Sequence, residues 1–133
     1  MTKKQLDILI VEDDSMLNQV MVLQLTMIGL SVRSAKTGYQ ALKMIDESVP
    51  SLLVLDIGLP DLNGKDLVAL LQKRSATSNI PLLIHTSLDL STEDQDALKL
   101  GPTRCVTKAT AFSDQLERLV NELLTESADS AVL

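Results

Sequence analysis

Leu52-Leu53-Val54-Leu55-Asp56-Ile57-Gly58-Leu59-Pro60 is the stretch on which the fold turns. Four apolar residues run into a single carboxylate, and the chain then breaks at Gly58 and Pro60. An apolar run this short and unbroken predicts a strand buried on both faces. Asp56 then stands at the carboxyl edge of a sheet, where open α/β folds place ligands and chemistry.

Outward from this strand, strand-like and helix-like segments alternate. Ile8-Leu9-Ile10-Val11 predicts a buried strand, followed by a helix over residues 15–28 that Gly29 stops from the C′ position. A weaker strand follows at Ser31-Val32-Arg33-Ser34-Ala35, and a helix over 38–47 precedes Pro50. After the central strand come a helix over 64–74 and a strand at Pro81-Leu82-Leu83-Ile84-His85-Thr86. Ser91-Thr92-Glu93-Asp94 has the form of a capping box opening a fourth helix, which Gly101 closes. Arg104-Cys105-Val106-Thr107 predicts a fifth strand. Phe112, Leu116, Leu119, Val120, Leu123 and Leu124 recur at helical spacing and give an amphipathic fifth helix. Five strand–helix pairs imply a doubly wound α/β fold: one parallel five-stranded sheet with helices on both faces. The length of 133 residues fits one domain, over 1–126, with Ser127 to Leu133 as a frayed tail.

Composition narrows the function. Hydrophobic residues make up 45% and aromatics only 2%, so aliphatic side chains and methionine must fill the core. The net charge of −6 lacks the basic footprint of direct nucleic-acid binding. Cys105 is the single cysteine, which excludes an internal disulfide and fits a reducing compartment. No signal peptide is evident, and no stretch approaches the ~20 apolar residues of a membrane span. A cytoplasmic protein without membrane contact, monomeric or weakly dimeric, is expected.

The first strand ends in Glu12-Asp13-Asp14 and the third in Asp56. Central strands lie ~4.8 Å apart, so their ends bring Glu12, Asp13 and Asp56 together. Three carboxylates in one pocket repel each other unless a cation joins them. Hard oxygen donors in a compact acidic site suit Mg²⁺, which also binds phosphate. The ends of strands four and five add the hydroxyl of Thr86 and the charge of Lys108. An acid to attack, a metal and a lysine to neutralise charge, and a hydroxyl donor are what in-line phosphoryl transfer to a carboxylate requires. Singly, each residue has a plainer role. An acid after a strand is often a helix N-cap, and a lone threonine or lysine is an ordinary strand or surface residue. His85 precedes Thr86 on a buried strand and points to the opposite face, as a satisfied core histidine rather than a phosphoacceptor.

Glu12-Asp13, Asp56-x-x-Leu-Pro with Gly64, Thr86-Ser87 and Thr107-Lys108 occur in order at successive strand ends. Together they resemble the receiver domain of two-component response regulators, the CheY-like relatives of the flavodoxin-like fold, over roughly residues 6–126. The resemblance implies that Asp56 accepts a phosphoryl group from a phosphohistidine on a sensor histidine kinase or phosphotransfer protein. It implies Mg²⁺, or Mn²⁺ in its place, held by Glu12, Asp13, Asp56 and the backbone carbonyl of Gly58. Thr86 and Lys108 would bond the phosphoryl oxygens, and the face of helix four, strand five and helix five would engage an output partner whose identity the sequence does not give. Such a protein catalyses its own phosphorylation and dephosphorylation and is not a turnover enzyme.

The chain departs from that family in two places. Cys105 stands where an aromatic is usual, and Ala109 replaces the proline whose cis bond usually follows the lysine. Gly58 and Leu88, two residues after Asp56 and Thr86, cannot orient an attacking water, which predicts slow self-dephosphorylation. The first helix carries more apolar residues than one face can bury, so its rim near the acids is a candidate docking face. The departures keep a second reading open, an unphosphorylated interaction module. A flavodoxin-like electron carrier is disfavoured by acids where a phosphate cradle should be. A haloacid-dehalogenase-like phosphatase is disfavoured by Gly58 where a second aspartate should be.

Overall fold

A computed structural model describes residues 6–87, 89–107 and 114–131, with side chains left out at 114 and 128–131. The element order is β1 (Asp7–Val11), α1 (Ser15–Met27), β2 (Ser31–Ala35), α2 (Gly38–Glu47), β3 (Leu52–Leu55), α3 (Gly64–Gln72), β4 (Leu82–Thr86), α4 (Thr92–Ala97), β5 (Thr103–Thr107) and α5 (Asp114–Ala131). The five strands form one parallel sheet in the order β2-β1-β3-β4-β5. The doubly wound architecture expected from the alternation is the one observed.

Apolar side chains alternate between two cores, one on each face of the sheet. Leu9, Val11, Leu53, Leu55, Leu82 and Ile84 meet α2 and α3 through Ala41, Ile45, Leu67, Val68 and Leu71. Ile8, Ile10, Leu52, Val54 and Leu83 meet α1 and α5 through Leu17, Met21, Leu25, Leu116, Val120 and Leu123. All four residues of β3 are fully buried, which explains why that run carries no polar residue. Each such side chain contributes about 1.5–3 kcal/mol relative to leaving it in water.

The caps explain the boundaries. Asp14 accepts from the Leu17 N–H at 3.0 Å and starts α1. Gly29, at φ 93°, ends it with N–H bonds from Gly29 to Thr26 and from Leu30 to Leu25, a left-handed terminus that favours glycine. Ser91 accepts from Asp94 N–H and starts α4 as the capping pattern foretold.

Three expected boundaries differ by more than one residue. The third helix stops at Gln72 rather than 74, because a turn takes over in which Thr77 Oγ1 donates to the Leu71 carbonyl at 2.7 Å. Helix α4 ends at Ala97, and Leu98 turns into the core. Gly101 is therefore not its terminator. A Cβ on Gly101 would collide with the Asn79 carbonyl, and its N–H donates to Ile80 O at 2.9 Å. Glycine serves close backbone approach there. Helix α5 continues to Ala131, through five of the seven residues expected to be a frayed tail. Phe112 lies outside the described residues.

Candidate phosphoacceptor and metal site

The acidic site is a product of strand register. Val11 in β1 pairs with Leu55 in β3, so the residues that follow them, Glu12 and Asp56, leave the sheet side by side. Asp56 N–H donates to Val11 O at 3.0 Å, and Glu12 N–H donates to Ala35 O at 3.0 Å. Asn18, buried on α1, donates from Nδ2 to Glu12 O at 3.0 Å and to Ala35 O at 3.3 Å. It ties the ends of β1 and β2 to the first helix. Its sequence signal was a lone amide on the inward side of an apolar helix, and that signal went unread.

Glu12 is fully buried, Asp56 is 3% exposed and Asp13 is exposed. One carboxylate oxygen from each lies within 4.8 Å of the other two. Asp56 Oδ1 also accepts from Gly58 N–H at 3.0 Å. Gly64 N–H donates to Ile57 O at 3.0 Å, which holds the turn after Asp56 against the start of α3. The donor set fits a divalent cation: three hard oxygens converge, with one buried wall and one open to water. Asp14, by contrast, is taken up as a helix cap, the plain role of an acid after a strand.

The turn after Asp56 has a second mooring that the sequence did not reveal. Asp61 accepts from Gly38 N–H at 2.9 Å and Tyr39 N–H at 3.0 Å, at the start of α2. Desolvation raises its pKa, but the backbone N–H groups of Tyr39, Gly38 and Leu62 together outweigh this and hold the carboxyl below the usual range.

Thr86 ends β4, the strand next to β3, and is 4% exposed. It pairs in register with Thr107, the last residue of β5. Lys108 follows Thr107 in the chain and lies outside the described residues, as do Leu88 and Ala109, so the expected lysine contact and its following peptide bond are not part of the observed geometry. His85 is fully buried, as expected of a core histidine. Its surroundings were not foreseen: Nε2 lies 3.7 Å from Glu12 Oε2.

A family model described as the response regulator receiver domain matches residues 8–121. The chain belongs to this family. The receiver domain is 35% identical over 121 residues to the transcriptional regulatory protein CusR of Escherichia coli K12, and 33% identical over 112 residues to the response regulator MprA of Mycobacterium avium. Those matches take in 91% and 84% of this chain but 52% and 48% of the relatives. The chain thus spans about half the length of the curated relatives it matches. Among solved structures it resembles a CheY-like receiver domain protein from Methanospirillum hungatei, with a TM-score of 0.81, 25% identity and 96% and 99% of the two chains covered. It also resembles the receiver domain of Francisella response regulator 1452, with a TM-score of 0.78, 25% identity and 92% and 99% covered.

Where the receiver family usually has an aromatic, Cys105 borders a hollow of about 210 Å³ that also touches Thr86, Leu90, Gln95 and Thr107. Cys105 is exposed on β5, and partial desolvation still pushes its thiol above the ordinary pKa, so it is no ready thiolate. The hollow places free space directly against the hydroxyl residue of the site. Among the described residues no helix is long and apolar enough to cross a membrane.

Proposed function

We propose that this receiver domain is the phosphoacceptor of a two-component phosphorelay and that Asp56 carries the phosphoryl group. The observation that carries this is the convergence of Glu12, Asp13 and Asp56 within 4.8 Å at the carboxyl edge of a parallel sheet. An oxygen of Asp56 attacks the phosphorus of a phosphohistidine. The P–N bond breaks, and its electron pair returns to the departing imidazole, which regains a proton from water. Glu12, Asp13, Asp56 and the Gly58 carbonyl are the residues that would hold Mg²⁺. When bound, that ion neutralises the acids and the charge developing on the phosphoryl oxygens. Thr86, at the end of β4, and Lys108, which follows Thr107 in the chain, would bond those oxygens, and the buried wall at Glu12 and Asp56 keeps bulk water from one side of the site.

A protein donor must present its histidine at this rim. Met16, Val20, Leu23 and Met27 share one exposed face of α1, and the helix carries no charged residue. That face fits an apolar helical surface such as a kinase or phosphotransfer bundle offers. The output would be read from the α4-β5-α5 face.

Incubation with Mg²⁺ and a small acyl phosphate, followed by intact mass, tests the proposal. The wild type should gain one phosphoryl mass and Asp56→Asn none. Cys105 at the usual aromatic position favours one competing role, an unphosphorylated interaction module. No mass gain in the wild type would establish that role instead.

A further inference from the structure

One row near the carboxyl edge of the sheet crosses β1, β3 and β4 in turn. Val11 pairs with Leu55 and Leu55 with Ile84, so the next residues along, Glu12, Asp56 and His85, share that row. Strand alternation fixes their face. Glu12 follows Ile10 by two and His85 follows Leu83 by two, and both apolar residues belong to the core under α1 and α5. β1 and β4 are two strand spacings apart, about 9.5 Å. Glu12 and His85 therefore lean toward each other across β3, and their side chains come within 3.7 Å, both fully buried.

We propose that His85 is a positioning residue for the cation site, acting through Glu12. This rests on the metal reading given above and goes beyond it. The Glu12 carboxylate is bracketed from two sides. Asp14 N–H donates to Oε1 at 3.3 Å from the rim, and the imidazole faces Oε2 from the interior. A glutamate has three rotatable side-chain bonds, so a lone Glu12 would sample several orientations at a site that needs one. An imidazole with its proton on Nε2 is a donor without needing a charge. Closing the gap by about half an ångström makes the contact a hydrogen bond. Partners of metal-binding carboxylates orient the ligand in this way, and their loss weakens metal binding by about 10–100-fold. A leucine would fill the same volume beneath the sheet, so core packing alone does not require imidazole here.

His85 is the only histidine in the chain, which makes its ring nitrogens an unambiguous NMR probe. The test is a Mg²⁺ titration of the ¹⁵N-labelled full chain, with calorimetric Mg²⁺ affinities for wild type, His85→Leu and His85→Gln. The His85 Nε2 resonance should move along the same saturation curve as the Asp56 and Gly58 amides. His85→Leu should bind Mg²⁺ about tenfold more weakly, while His85→Gln, which restores an N–H donor, should stay within about threefold of wild type. An Nε2 resonance that stays still while those amides saturate would make His85 a core filler and overturn the proposal, even if His85→Leu failed to fold. Equal affinity in His85→Leu would overturn it too. If no resonance of the wild type responded to Mg²⁺, the metal reading itself would fall, and this inference with it.

Discussion

Replacing Gly64 by alanine should destabilise the protein, although Gly→Ala at an ordinary helix position is favourable by about 0.5–1 kcal/mol. A Cβ on Gly64 would stand 2.7 Å from Ile57 Cα, 2.8 Å from Ile57 Cδ1 and 3.3 Å from Asp56 O. The Cδ1 end can swing aside, but the Cα cannot. Ile57 is 4% exposed, and its carbonyl already accepts the Gly64 N–H. Overpacking of this kind costs about 1–3 kcal/mol, so the expected net loss is roughly 1–2 kcal/mol. Gly58 supplies the internal control. A Cβ there meets only Asp56 Oδ1 at 3.8 Å, in ordinary contact, and Gly58 has no left-handed φ. Alanine at 58 should instead stabilise by about 0.4–1 kcal/mol by restricting the unfolded chain. Urea unfolding of the two variants should therefore give midpoints on opposite sides of the wild type with unchanged slope, and Tm values separated by several degrees. The reasoning fails if Gly64→Ala is as stable as wild type. Because the displaced atom is in the residue after Asp56, Gly64→Ala should also take up phosphoryl from a small acyl phosphate more slowly.

The acidic cluster should be destabilising without a cation: at an effective dielectric near 20, two charges 4.8 Å apart repel by about 3 kcal/mol. Asp56→Asn should thus unfold at a higher temperature than wild type in EDTA and lose most of the Mg²⁺-dependent rise in Tm; an unchanged Tm in EDTA would refute the repulsion. Asp61, held below the usual carboxylate range, should contribute stability that is complete at neutral pH and lost as pH falls through and below that range. Asp61→Asn should accordingly be less stable than wild type at pH 7, with the gap closing as pH falls through and below the usual carboxylate range in parallel urea titrations. Filling the hollow beside Thr86 with Cys105→Tyr should leave stability unchanged or raise it by up to about 1 kcal/mol, and a marked loss would show that the space is not available to a ring. Met16→Asp or Val20→Asp should slow phosphoryl transfer from a protein donor while leaving transfer from a small acyl phosphate unaffected; equal slowing from both donors would remove α1 from the docking surface.

The parts of this fold legible in sequence are those governed by local rules. Short apolar runs named β1, β3 and β4, and Gly29 and Ser91 named two helix ends. Two of the misses have a common cause in long-range contact. Nothing near Gly101 announces that the Asn79 carbonyl passes against its Cα. Nothing in α2 announces that its first N–H groups are capped by Asp61, more than twenty residues away. The extension of α5 was missed for a different reason. Its last turns are small and polar, so the apolar period ends at Leu124 although the backbone continues in helix to Ala131. At the site, Glu12, Asp13 and Asp56 were readable because they stand within two residues of the ends of β1 and β3. The approach of His85 to Glu12 was not, because it spans an intervening strand and depends on register and side-chain length together.

The same structure bears on where a change at Asp56 can go. On the α2-α3 side, the rim is fixed by Asp61, by the Gly64–Ile57 bond and by a close-packed core. Movement there would break buried contacts. On the other side, no residue of α4 is buried, the helix is six residues long, and β5 is a partly exposed edge strand. Local opening is least costly where buried apolar contacts are few. Thr86 sits between these two regimes, with the rigid β3 on one flank and the hollow bordered by Cys105 on the other. A shift of its hydroxyl toward a group on Asp56 therefore meets resistance on one side and free volume on the other. With cysteine rather than a ring at 105, such a shift would be passed on through the backbone of β4.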